Sequence, residues 1–273
     1  MEQNIFCIKA VNTMIKRLSC AVAGMCLMAS MTTACSLGQG IEVFDQDKIV
    51  LLQTEEMIQG EDIAVVETSE GIFKMRFFPS EAPKTVENFI ELAQSGYFDG
   101  QKVSRIEKIQ QADRVKGRIV AGSGKPVGEK GKSIFEKPIQ PEISYNLCTI
   151  PGAVVAYTPE DEVDSRFYIV GSRKVSKEEI EEIRQNNYPN KMIQMFEGHG
   201  GYPEEWLHQS VFAQVVDGME IVDQIIQEHD STAIDEVTDI EILQIRIEKY
   251  DDLSEDDSSQ EMTLMDSRMD RAS

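Results

Sequence analysis

Hydrophobic positions fall along the chain in blocks of different period, and the period predicts the element. Ile63-Ala-Val-Val-Glu-Thr68 and Ile72-Phe-Lys-Met-Arg-Phe-Phe78 are short runs rich in β-branched and aromatic residues, read as strands joined by the turn Ser69-Glu70-Gly71. Ala82-Pro83 opens a helix in which Val86, Phe89, Ile90 and Ala93 fall at helical spacing, and Gly96 stops it. Gly152–Ala156, Arg166–Val170 and Val211–Val216 read as strands, and residues 175–195 as helical. Met219–Ile226 is an amphipathic helix opened after Asp217-Gly218, and Ile240–Glu248 alternates in period two and closes a sheet. Between Gly117 and about Tyr145 the chain is rich in Gly, Lys and Pro and keeps no period. This predicts a long irregular loop, which in a compact domain is usually functional. Many strands with two principal helices and long loops predict a β-barrel or sandwich with helices at its ends.

The first 34 residues follow another pattern. Three bases (Lys9, Lys16, Arg17) precede the small and apolar stretch Leu18–Met31, the signature of a secretory signal peptide. Met1 or Met14 could serve as the start, since Met14-Ile-Lys-Arg17 is the more economical basic opening. Thr32-Thr33-Ala34 before Cys35 resembles a bacterial lipobox, with Thr32 in place of the usual aliphatic residue; an ordinary small-residue cleavage site is the alternative. A lipidated Cys35 would carry more than one acyl chain, which gives the stable anchoring that a single chain does not. Cys7, Cys20 and Cys26 would leave with the signal, so Cys148 stands alone in the expected domain and no internal disulfide is expected.

Charge narrows the function classes. Acids number 48 against 27 bases, a net charge of −21, which argues against binding nucleic acid through phosphate neutralisation. With three histidines and no CxxC pattern, no metal site is expected, and no cofactor. Residues 251–273 hold eight acids and two bases and read as a disordered acidic tail. The expected organisation is a signal at 1–34, a tether at 35–60, one domain at 61–249 and a tail at 250–273.

Several segments then resemble one family. Glu81-Ala-Pro-Lys-Thr-Val-Glu-Asn-Phe-Ile-Glu-Leu-Ala93, Ser104-Arg-Ile106, Lys132-Ser-Ile-Phe135, Ser165-Arg-Phe-Tyr-Ile169 and Val211-Phe-Ala-Gln-Val-Val-Asp-Gly218 resemble, in order, a cyclophilin-type peptidyl-prolyl isomerase domain. The resemblance spans about residues 62–248. It implies a closed eight-stranded antiparallel β-barrel capped by two α-helices, here with an extra helical insertion at 172–203 like one seen in bacterial lipoprotein members.

The resemblance also implies a site. Rotation about an X–Pro bond is slowed by amide resonance, with a barrier of about 18–20 kcal/mol. It needs no nucleophile or metal, only an apolar pocket and a fixed donor for the twisted bond, a task suited to a guanidinium. Arg105 matches the family's catalytic arginine. The substrate-binding positions fall on Ile119, Ala121, Tyr157, Thr158, Phe167, Tyr168, Trp206 and Gln209. Several depart from the family pattern: Ser104 stands for a histidine, Arg118 for an aromatic wall, Ala121 and Arg166 for glutamines, and Tyr168 for a phenylalanine. At equal length Glu205 takes a leucine's place and Gln209 a histidine's, and a shift of one or three residues around Trp206 and His208 would change that register. Arg118 and Glu205 could pair across the site and fill it with charge. The expectation is a weak prolyl isomerase, monomeric, acting on proline-containing segments of exported proteins at the outer face of a bacterial membrane. The competing reading is an inactive peptide-binding module of the same fold.

Overall fold

The computed structural model describes residues 48–111, 114–158, 161–229, 233 and 235–251. The expected signal at 1–34, Cys35 and the residues of the expected tail beyond Asp251 lie outside them. Nine strands form one antiparallel sheet: β1 (Asp62–Thr68), β2 (Gly71–Phe77), β3 (Gln101–Lys102), β4 (Arg105–Gln111), β5 (Arg114–Ala121), β6 (Ala153–Ala156), β7 (Phe167–Val170), β8 (Val211–Asp217) and β9 (Glu241–Lys249). Their order is β3-β9-β1-β2-β8-β6-β7-β5-β4.

This corrects the expected closed eight-stranded barrel: the sheet is curled and open, with β3 and β4 at its two edges. Only Val103 and Ser104 separate these strands in the chain, so they form a corner rather than a hairpin. Val103 is already committed on the β9 side, donating to the Ile240 carbonyl at 2.9 Å and accepting from the Thr238 backbone and hydroxyl at 3.1 and 2.8 Å.

Helix α1 (Pro83–Gln94) begins on a proline and has no side-chain cap of its own. Glu142 supplies one from across the domain, accepting from the Lys84 and Thr85 amides and the Thr85 hydroxyl. The helix drives Phe89 into the centre of the inner core. There its ring lies 5.0–5.6 Å from those of Phe98, Phe167, Phe77 and Phe212. Helix α4 (Met219–Glu228) packs against β2 and β5.

The expected helical stretch at 175–195 is two helices, α2 (Lys177–Gln185) and α3 (Asn190–His199). Ser176 and Glu179 cap α2 reciprocally. The region expected to be irregular from Gly117 is strand as far as Ala121. Gly122 then turns at φ +100°, with its Cα side so close to the Ser165 carbonyl that a Cβ would lie 2.0 Å from the oxygen.

Strands β6 and β7 are buried on both faces, which explains their unbroken apolar runs. Their second face carries an outer core containing Phe78, Val120, Val155, Tyr168, Val170 and Tyr202. Residues 48–60, read from sequence as part of a tether, lie against this outer side. Ile49 is buried, and Gln53 bonds Cys148 through both its amide atoms and reaches Gln214 at 2.7 Å. Arg76 holds the same segment through the Glu55 carbonyl at 2.7 Å and the Glu61 carboxylate. Burial pushes the Cys148 thiol up to about 12, so it is a neutral packing group rather than a nucleophile.

Replacing Phe89 with Ala should cost about 3–5 kcal/mol of folding stability, read from urea unfolding of the chain. A cost under about 1 kcal/mol would mean that the aromatic cluster does not organise the core.

Candidate functional site

Cross-strand register assembles the site on the outer face. Arg105 stands opposite Val120, Val120 opposite Tyr168, and Tyr168 opposite Val155, across β4, β5, β7 and β6. One step along, Glu107 faces Arg118 and Arg118 faces Val170. Directly opposed residues in antiparallel ladders share a face, so Arg105, Glu107, Arg118 and Tyr168 rise together from it.

The Arg105 side chain is a quarter exposed. Its Nη1 lies 3.5 Å from Glu107 Oε1, and its buried Nε has no hydrogen-bond partner. Beside it, Arg118 is bonded to Glu205 and its guanidinium lies 4.7 Å from the centre of the Tyr168 ring. The Tyr168 hydroxyl donates to the other Glu205 oxygen at 3.1 Å. Tyr168 is 2% exposed. Burial pushes its phenol upward, and the neighbouring Arg118 opposes this only in part. The ring therefore lies beneath a guanidinium, under a carboxylate that its own hydroxyl helps to hold.

Glu205 ends a 3-10 turn, Pro203–Glu205, that leaves the insertion carrying α2 and α3. Tyr202, fully buried just before it, fixes the turn to β5: its hydroxyl accepts from the Gly117 amide at 2.8 Å and donates to the Gly117 carbonyl at 3.2 Å. The guanidinium carbons of Arg118 and Arg173 each lie 5.3 Å from the Tyr202 ring centre. Arg173 also bonds the Gly201 carbonyl and Glu179, tying this turn to α2.

The other expected site residues divide between the two faces of the sheet. Ile119, Ala121 and Phe167 point into the inner core, away from Arg105. Tyr157 is half-buried farther along the outer face with Arg166 over its ring at 5.6 Å, and Thr158 follows it. Trp206 is buried against Tyr188 of the insertion, ring centres 5.0 Å apart, and Gln209 is half-buried near the start of β8. Ser104 is buried against Ser123 at 3.2 Å. Two participants were not among the expected site residues: Glu107, whose period-two spacing from Arg105 was a signal that puts both on one face, and Tyr202, for which the sequence carries none.

Residues 63–248 match the model of the cyclophilin type peptidyl-prolyl cis-trans isomerase/CLD family. The chain belongs to the cyclophilin family. A curated relative from Staphylococcus aureus (strain USA300), named "Putative peptidyl-prolyl cis-trans isomerase", is 30% identical over 174 residues, covering 63% of this chain and 84% of the relative. A Staphylococcus epidermidis (strain RP62A) protein of the same name is 29% identical over 203 residues, covering 72% and 98%. A crystal structure of a Cryptosporidium parvum cyclophilin type isomerase aligns at a TM-score of 0.49 and 18% identity, covering 70% of this chain and 99% of that one. Within this cyclophilin, the outer face can offer one lightly held guanidinium, Arg105, to a carbonyl. The Tyr168 ring, on the same face across Val120, lies covered by Arg118.

Arg118 and Glu205 should therefore be energetically coupled. A double-mutant cycle with Arg118→Met and Glu205→Gln, read by urea unfolding, should give an interaction of about 0.5–3 kcal/mol. Additive losses would mean that the pair does not hold the cover.

Proposed function

We propose that this cyclophilin acts on proline-containing segments of exported proteins as a slow peptidyl-prolyl isomerase, at the outer face of the membrane and held there by lipid on Cys35. The observation carrying the isomerase reading is Arg105: half-buried, at the sheet edge, with Glu107 at 3.5 Å and, among the described residues, a donor left over. A guanidinium so placed can donate to the carbonyl oxygen or the nitrogen of an amide that is losing its resonance, and each 1.36 kcal/mol of selective stabilisation is tenfold in rate. Slowness follows from the cover. Productive binding must first lift Arg118 from Tyr168 and separate it from Glu205, and that energy is subtracted from what a peptide gains on binding.

The same cover favours a second reading, a peptide-binding module that does not turn its ligand over. The two readings part in one experiment, isomerisation of a proline peptide by the chain and by Arg105→Ala. Loss of Arg105 should lower the rate enhancement about 100-fold, the usual effect of removing a charge-stabilising donor. Binding without any enhancement in either protein selects the module. Equal enhancement in both removes Arg105 from the reaction.

The export reading rests on the basic and apolar start of the chain and on Cys35 after Thr32-Thr33-Ala34. In a bacterial host, labelled palmitate should enter the chain and be lost in Cys35→Ser, with the protein moving from the membrane to the soluble fraction. Labelling that persists in Cys35→Ser would overturn the anchor.

A further inference from the structure

We infer that this site selects a proline flanked by a lysine or arginine, and that Glu205 is the residue that reads the basic side chain. The inference rests on the reading that proline segments bind at the Arg105 face, and names the class it prefers. The argument is one of charge exchange. Among the described side chains around Arg105 and Tyr168 are two ion pairs, Arg105 with Glu107 and Arg118 with Glu205. All four side chains are a quarter exposed or less, so a charge left without a partner there carries a desolvation penalty.

A peptide that reaches the Tyr168 ring displaces Arg118, whose guanidinium now sits 4.7 Å from the ring centre. Arg118 has a second acceptor at hand, because Glu107 stands directly opposite it on β4. Glu107 becomes available in the same event, since Arg105 turns from it toward the substrate amide. Arg118 thus passes from Glu205 to Glu107. Glu205 then keeps the Tyr168 hydroxyl and loses the guanidinium bonded to it.

A neutral peptide leaves that carboxylate uncompensated, and an acidic one sets a like charge beside it. A lysine or arginine next to the proline supplies the missing cation and restores the balance.

The test is a peptide series carrying Lys, Ala or Glu before the proline, and a second series with the change after it. Affinity and kcat/KM are measured for the full chain, Glu205→Gln and Glu205→Asp at about 0.15 M salt, where long-range attraction is screened. In at least one series the Lys peptide should be favoured over Ala by about tenfold, with Glu weakest. Glu205→Asp, which keeps the charge, should retain the order, and Glu205→Gln should bring the Lys-to-Ala ratio near one. Equal treatment of the three peptides by the unsubstituted chain overturns the inference while leaving prolyl isomerisation standing. A preference that survives in Glu205→Gln also overturns it, because the overall negative charge then accounts for it. If no peptide in either series binds or is isomerised, the underlying reading of the face falls as well.

Discussion

A single phenol hydroxyl bonds both backbone groups of Gly117, whose carbonyl also accepts from the Gly171 amide at 2.9 Å. Tyr202 accepts from the amide and donates to the carbonyl, inside the outer core, where neither group could turn to water. Gly117 lies next to Arg118 in β5, and Tyr202 lies three residues before Glu205. The two-sided bond therefore fixes the distance between the cation and the carboxylate that cover Tyr168. The ring of Tyr202 adds to this by carrying Arg118 on one contact and Arg173 on another. With the Thr149 and Arg173 bonds to the same turn, this anchor holds the end of the two-helix insertion against the sheet and brings Glu205 to Arg118.

The sheet separates two tasks by period two. Its inner face is organised by Phe89 and carries no charge near the centre. Its outer face is apolar at Val120, Val155 and Val170 but carries the Arg105–Glu107 and Arg118–Glu205 pairs at the β4 edge. Paired charges at an edge also suit a strand whose outer backbone groups have no ladder, since charged side chains disfavour further strand addition. Arg118 has two carboxylates at hand, Glu205 bonded to it and Glu107 opposite it on β4.

Much of the fold was legible because apolar runs and helical spacing survive in the sequence. The β1–β2 hairpin, α1 with its Pro83 start, β6 to β8 and α4 all lie where the pattern puts them. The open edge was not legible. Whether β3 and β4 form a ladder or a corner depends on where Val103 sends its hydrogen bonds, and the deciding partners, Thr238 and Ile240, are far along the chain. The pairing of Arg118 with Glu205 was foreseeable from two opposite charges at positions the family keeps apolar. Assigning Ile119, Ala121 and Phe167 to the binding surface ignored the alternation that turns them inward, while their neighbours Val120 and Tyr168 turn outward. Glu107 was open to the same reasoning, two residues from Arg105 in a strand whose existence the polar, Gln-rich composition concealed.

The clasp on residues 48–60 has a mechanical consequence. Gln53, Arg76 and the Lys191 ammonium, which bonds the Ile49 carbonyl at 2.7 Å, fasten this segment to β2, to the Cys148 loop and to α3. A pull delivered at residue 48 is thus shared among several polar contacts before it reaches β1. Those contacts load β2 and its neighbours, and the ladders β2–β8, β8–β6, β6–β7, β7–β5 and β5–β4 still lie between β2 and the strand that bears Arg105. Tension along the chain would be divided between β2, five ladders away from β4, and α3, whose insertion ends at Glu205, so the strand bearing Arg105 is shielded while the carboxylate that holds Arg118 shares the load.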